Sequence, residues 1–330
     1  MTTLLCFGTR PEWLKIKPLV KVLKKYKLLF TGQHTDLLKD VKTDYSIHIH
    51  ASDDEKRLDQ IVSDCLTQFP EGDFDTVLVQ GDTVSAFACA MAAFHRKKKV
   101  CHLEAGLRTR NLNHPYPEEA YRQMISRIAD INFCPTSMSA SNLLEEKVFG
   151  DIHIVGNTVL DNLLPYKEQC EYTNKVLVTL HRRENHELIY DWFKCINNLA
   201  ESNSDLEFIL PIHPNPNVQK HKDLLSCVNV IKPLSHKSLL DILVKCKLVI
   251  SDSGGLQEES SFLNKKIIVC RETTERPEGK TSGQLVICKN PRDLNRIFYS
   301  LKENYHIDSP CPYGDGLSSN KISDILNEKL

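Results

Sequence analysis

The chain has 330 residues, 41% hydrophobic and 26% charged, with 42 Lys and Arg against 43 Asp and Glu and a formal net charge of −1. At roughly 150 residues per domain this length predicts about two domains, and the missing basic excess excludes a general binder of nucleic-acid backbones. No apolar run approaches the ~18 residues of a membrane span, and the opening MTTLLCFGTRPEW lacks the basic stretch of an export signal, so a cytoplasmic protein with no membrane or nucleic-acid partner is expected.

In chain order, residues 4–7 read as a strand, followed by GTRPE and a helix to about Lys25, with Pro11 suited to its first turn. His48-Ile49-His50 puts two histidines on one face of an exposed strand, without a third metal ligand nearby. Residues 76–79 form a strand that runs through Gln80-Gly81-Asp82-Thr83 into 84–94, small and apolar enough for a helix buried on most sides. The strand 100–103 ends in Glu104. Ala120, Tyr121, Met124, Ile125 and Ile128 have helical spacing. Residues 151–155 form a strand closed by Gly156-Asn157-Thr158, and the polar, aperiodic stretch 165–174 marks a domain boundary.

The second half repeats the style. Strand 176–180 leads into His181-Arg182-Arg183-Glu184-Asn185, and Leu188, Ile189, Trp192, Phe193, Ile196 and Leu199 mark an amphipathic helix. Strand 208–210 runs into Pro211-Ile212-His213-Pro214, strand 248–251 into Asp252-Ser253-Gly254-Gly255, and strand 267–270 into Arg271. The 12 cysteines form no CxxC pair, which fits reduced, buried thiols better than a zinc site or a disulfide framework.

Such alternation predicts an α/β protein with parallel sheets covered by helices, built as two units with a ligand cleft between them. Polar residues at the carboxyl ends of parallel strands face the ligand crevice in such folds. That rule selects Arg10, Asp82, Glu104, His181, His213, Asp252, Ser253 and Arg271. In ISDSGGLQEES two glycines free the backbone before a helix expected from about Leu256, whose N–H groups suit an anion. Glu258 and Glu259 are then expected in its first turn, one of them placed for a ribose diol, or as ordinary capping acids. In GTRPE, Arg10 is placed to clamp a diphosphate, with Lys15 a turn further on, although a capped helix with a solvated Arg has the same sequence. Glu118 and Arg122, four apart on one helix, read alone as a surface ion pair.

Taken together, GTRPEWLKIKPL, QGDTVSAFACAMAAF, HLEAGLRT, HPYPEEAYRQMISRIAD, VGNTVLDNLL, TLHRREN, PIHPNPNV, ISDSGGLQEES, RETTERPEG and CPYGDG resemble the non-hydrolysing UDP-N-acetylglucosamine 2-epimerases, in the family's order and across residues 7 to about 316. The resemblance implies two Rossmann-like domains of the GT-B type with a UDP-sugar in the cleft, and a homodimer. It implies a first domain over 1–167, a second over 168–314, and a last helix near 315–330 packed back onto the first.

It further implies that C2 is inverted without oxidation. UDP leaves C1 as the C2 proton is taken, giving 2-acetamidoglucal, and both return with the proton on the opposite face. This chemistry uses acid/base groups and a cationic cradle, with no metal and no cofactor. By motif, Asp82, Glu104 and Glu118 match the family's catalytic acids, with the choice of base and acid open, and Arg122 and His181 attend the leaving group. Arg10, Lys15, His213, Arg271, Ser253, Gly254, Gly255 and Glu259 are the implied UDP-sugar contacts, phosphate falling to Ser253, Gly254 and Gly255 and ribose to Glu259. The chain departs from the family pattern at Asp36, in a segment linked to activation by UDP-N-acetylglucosamine, in the short loop 41–54, at Tyr121, and at 280–284. Loss of activation and a 6-deoxy N-acetylated sugar are the matching expectations. A GT-B glycosyltransferase and a hydrolysing epimerase are the alternative readings.

Overall fold

A computed structural model describes residues 2–33, 41–50, 57–274 and 276–329, with the backbone alone for Arg183 and Lys329. Asp36 and Glu275, and residues 51–54 of the short loop, lie outside the described residues. The chain forms two compact units, Met1–Asn162 with Gly314–Leu330, and Leu163–Tyr313.

The first unit runs β1 (Thr3–Phe7), α1 (Arg10–Val22), β2 (Tyr26–Phe30), β3 (Tyr45–Ser46), α2 (Arg57–Thr67), β4 (Thr76–Gln80), α3 (Val84–His95), β5 (Lys99–Leu103), α4 (Glu118–Ile128), β6 (Ile131–Cys134), α5 (Ser137–Glu145) and β7 (Asp151–Ile154). Its sheet has the order β3-β2-β1-β4-β5-β6-β7, and every pairing is parallel. β1 and β4 are buried along their whole length, which explains why they read as continuous apolar runs and not as alternating ones. On one face Ile61, Cys65, Cys89 and Ile125 bring α2, α3 and α4 into a core. On the other, Ile16 and Leu19 of α1 meet Ile322 and Leu326 of the C-terminal helix Ser318–Lys329. Asp161 holds the start of that helix, accepting from the Ser318 and Ser319 backbone N–H at 3.1 and 2.7 Å and from Ser319 Oγ at 2.5 Å.

The second unit contributes α6 (Leu164–Lys167), β8 (Lys175–Thr179), α7 (Ile189–Ser202), β9 (Glu207–Pro211), α8 (Pro216–Gln219), β10 (Asn229–Ile231), α9 (His236–Leu243), β11 (Cys246–Ser251), α10 (Gly254–Phe262), β12 (Ile267–Val269), α11 (Glu278–Thr281), β13 (Leu285–Ile287) and α12 (Leu294–Lys302). Its parallel sheet has the order β10-β9-β8-β11-β12-β13. The apolar face of α7, with Trp192, Phe193 and Ile196 fully buried, packs with Phe298 of α12 over this sheet.

In each sheet the strand order reverses once, at β1/β4 and at β8/β11. Ligands in open parallel sheets sit beyond the strand ends at such switch points. Asp82 follows β4, and His181 and Asp252 follow β8 and β11. Two expectations need correcting. The strand before His48 and His50 stops at Ser46, and the two imidazoles sit edge to face at 4.7 Å with His50 3.1 Å from Asp64. The helix after β11 begins at Gly254, so Glu258 and Glu259 fall in its second turn and not in its first. No helix among the described residues is long and apolar enough to cross a membrane, and among the described residues no cysteine forms a disulfide, with eight of the 12 buried.

Candidate active site

The first unit gathers carboxylates. Glu104 follows β5 with φ +66°, a conformation that costs a non-glycine residue and that this site holds in place. Its Oε2 accepts from Lys15 Nζ and from Gln80 Nε2, both at 2.5 Å, and its Oε1 from Asn157 Nδ2 at 3.3 Å. Three converging donors complement a carboxylate anion. Asp82 accepts from Arg122 Nη2. Burial pushes the Asp82 carboxyl up, the negative charge of Glu104 adds to that, and the attraction of Arg122 and Lys15 only partly offsets it.

Arg122 is in turn held by a residue that sequence reasoning missed. Its Nη1 donates to Glu119 Oε2 at 3.2 Å. Glu119 is fully buried and also accepts from the backbone N–H of Thr109 and Arg110, at 3.0 and 3.2 Å, and from Gln123 at 2.9 Å. Its ion pair with Arg122 spans three residues and is closed to water, whereas the expected Glu118–Arg122 pair spans four. Glu118 opens α4 and is partly buried. Below the cluster, burial lowers His102 to about 4, and its Nε2 lies 2.8 Å from the Gly81 carbonyl. His102 is therefore a neutral donor that fixes the turn carrying Asp82.

GTRPE forms a capping box: Thr9 and Glu12 satisfy the start of α1 reciprocally. Glu12 is buried, accepts from Gly8 N, Thr9 N and Thr83 Oγ1 at 2.9, 2.6 and 2.7 Å, and is pushed up by burial. A Cβ on Gly8 would come 2.1 Å from Thr31 Oγ1, so this glycine is demanded by packing. Of the two cations expected for a diphosphate, Lys15 is engaged by Glu104 and Arg10 is exposed on the first turn of α1.

The second unit gathers histidines around one aspartate. Asp252, fully buried, accepts at Oδ2 from the backbone N–H of His181 and Arg182, both at 2.9 Å, and from Asn185 Nδ2 at 3.0 Å. His181 Nδ1 stands 3.2 Å from Oδ1. Burial alone would raise the Asp252 carboxyl, but the His181 contact, the Arg182 N–H and Asn185 together hold it below the ordinary value. The His213 ring stacks on His181 with centroids 5.4 Å apart and 19° between planes, and burial followed by the charge of His181 pushes His213 down.

Both rings line a cavity of about 270 Å³ within this unit, with Ser253, Gly255, His236 and Glu259. Gly254 opens α10, and a Cβ on Gly255 would meet nothing within 4 Å, so space stands open over the helix's first N–H groups. Glu259 accepts from His236 Nε2 at 2.8 Å. Arg271 donates to Glu184 at 2.7 Å, and Glu258 pairs with Arg276 at 2.5 Å. Gln284, from the divergent 280–284 stretch, is buried and ties to the backbone of Ser309 and Pro310 at 3.0 Å, a role within the unit's own frame.

Comparison with known proteins agrees with this arrangement. The family model for UDP-N-acetylglucosamine 2-epimerase matches residues 22–327. The chain belongs to the UDP-N-acetylglucosamine 2-epimerase family. A UDP-N-acetylglucosamine 2-epimerase of Campylobacter jejuni is 37% identical over 369 aligned positions, covering 98% of this chain and 96% of that protein. One from Bacillus subtilis is 36% identical, covering 97% and 93%. The solved UDP-GlcNAc 2-epimerase of Neisseria meningitidis bound to UDP-GlcNAc superposes with a TM-score of 0.86 at 33% identity, over 100% of both chains. Membership makes the protein a UDP-GlcNAc 2-epimerase family enzyme with paired Rossmann-like sheets of the GT-B type, and it sets aside the glycosyltransferase reading.

Among this epimerase's functional candidates, Gln80, Asn157, Glu119, His102 and Asn185 went unselected from sequence. Gln80 and Asn157 carried a signal, since both lie at or just past strand ends. His102 sits within β5 and carried none.

Proposed function

We propose that the protein is a non-hydrolysing epimerase interconverting UDP-GlcNAc and UDP-ManNAc. The observation that carries the reading is the contrast within the carboxylate cluster, where Glu104 is met by three donors and Asp82 is raised by burial. Two neighbouring carboxyl groups in unlike environments suit one proton acceptor and one proton donor. In this reading Glu104 takes the C2 proton while the C1–O bond breaks and its electron pair leaves with UDP. Asp82, whose carboxyl is raised, acts as the acid and delivers a proton to the opposite face of 2-acetamidoglucal as UDP adds back to C1, and solvent takes the proton held by Glu104 and restores the one given by Asp82. Glu118 completes the acid/base set from the start of α4, and Arg122 holds Asp82.

The second unit supplies the nucleotide side. The Ser253 side chain and the N–H groups of Gly254 and Gly255 at the start of α10 take phosphate, Glu259 the ribose, and His181 meets the oxygen that leaves C1. His213, Arg271, Arg10 and Lys15 are the further UDP-sugar contacts, Lys15 acting through Glu104. Neisseria meningitidis and Methanocaldococcus jannaschii relatives solved with UDP-GlcNAc support a UDP-sugar as the ligand.

Product identity tests the proposal. Incubation with UDP-GlcNAc is expected to give UDP-ManNAc with no accumulating free UDP. Stoichiometric UDP and free ManNAc would place the enzyme with the hydrolysing epimerases.

A further inference from the structure

Asp252 grips one histidine at two points. Its Oδ2 is saturated by the His181 and Arg182 backbone N–H and by Asn185, whose Nδ2 is fixed a second time by the Cys270 carbonyl at 2.9 Å. Its Oδ1 is equally buried, and the group facing it is His181 Nδ1 at 3.2 Å. A buried carboxylate oxygen without a donor is costly, so the ring is best placed as an Nδ1–H donor. Nε2, across the ring, is then left for the cavity that His181 lines. Among the described residues, His213 and Cys270 also act on this pair, and His186 acts in turn on His213. The donors hold Asp252 low despite its burial, and His213 is pushed down, so Asp252 is an anion and His213 neutral near pH 7.

We propose that Asp252 is a positioning residue that locks the His181 tautomer and aims Nε2 at the diphosphate oxygen leaving C1. The inference rests on the epimerase reading above. As the C1–O bond breaks, its electron pair stays on the phosphate oxygen, and the imidazolium, its Nδ1–H held by Asp252, gives that oxygen the Nε2 proton and becomes the neutral Nδ1–H ring. When the oxygen adds back to C1, Nε2 recovers the proton. Asp252 stays ionised throughout and steadies the imidazolium, and no proton is consumed over the cycle.

Long-range ¹H–¹⁵N spectra of the full-length protein labelled with ¹⁵N-histidine test this, with H181N identifying the ring. At pH 7 the wild-type ring is expected to carry a proton on Nδ1, and Asp252→Asn is expected to move it to the Nε2–H tautomer. The kcat of D252N should fall about hundredfold with KM changed by less than about threefold, and H181N/D252N should be no slower than H181N alone. An unprotonated Nδ1 in the wild type, an unchanged tautomer in D252N, or losses that multiply in the double variant would overturn the assignment. If D252N does not fold, the wild-type spectrum still decides. A wild-type protein that leaves UDP-GlcNAc unchanged overturns the epimerase reading instead, while the spectra report separately whether Asp252 sets the ring.

Discussion

Asp82 and Asp252 occupy the same topological place in the two units, one residue or two beyond a strand at a switch point, and their acidities move in opposite directions. Burial raises both. Asp82 has one strong donor, Arg122, and a second carboxylate, Glu104, close by. Asp252 has two backbone N–H groups, an amide and an imidazole, with no carboxylate among the strongest influences on it. The count and charge of neighbours therefore decide what an aspartate at this place does, and the fold's symmetry does not. In the proposed reading one unit moves protons to and from carbon and the other holds an anion against histidine.

The comparison is broken most directly at the carboxylates. Glu104→Gln and Asp82→Asn are each expected to lower kcat by about a thousandfold or more, with the UDP affinity, measured by calorimetry, within about threefold of wild type. Near-normal turnover in either variant would remove the acid/base contrast. The next largest effect should fall on stability. Glu119→Ala leaves Arg122 buried without that carboxylate and should cost about 3 kcal/mol in urea unfolding, alongside lost activity as Asp82 loses its support. A change under about 0.5 kcal/mol would show that Glu119 does not anchor the cluster.

Acid titration sharpens the contrast from the other side. Asp252 is lowered in the folded chain, so the unfolded chain binds its proton first as pH falls. The stabilisation it contributes is complete above its ordinary value of 3.8 and is lost as pH drops through the lower folded value. Asp252→Asn should therefore show a shallower loss of stability than wild type on the acid side of that value, measured by urea midpoints. The smallest effect is expected at the stacked ring. His213→Asn removes a ring–ring contact worth about 0.5–1.5 kcal/mol, and turnover should fall by about tenfold or less. A loss equal to that of H181N would mean that the stack, and not Asp252, sets the His181 ring.

Much of this was legible in the sequence. Strands β1, β4, β5, β8 and β11 announced themselves as short apolar runs, and the polar residue after each was picked by position alone. What was not legible were the partners. Lys15 and Glu104 are 89 positions apart, and Arg122 and Asp82 are 40 apart, so only the folded sheet brings them together. Glu118 and Glu119 are adjacent, and periodicity did not say which one turns inward to Arg122. The start of α10 was misjudged by two residues because a Gly-Gly pair reads as a loop, whereas here it forms the first turn. The edge strand β3 is two residues long, too short for any alternation to show.

The central claim of the proposed function is reversible loss and return of UDP with proton exchange at C2. Proton NMR of UDP-GlcNAc with the purified enzyme in D₂O tests it most directly. The account predicts UDP-ManNAc appearing with deuterium at C2, and deuterium entering C2 of the remaining UDP-GlcNAc. UDP-ManNAc that keeps the original C2 proton, or free ManNAc released with UDP, would contradict it.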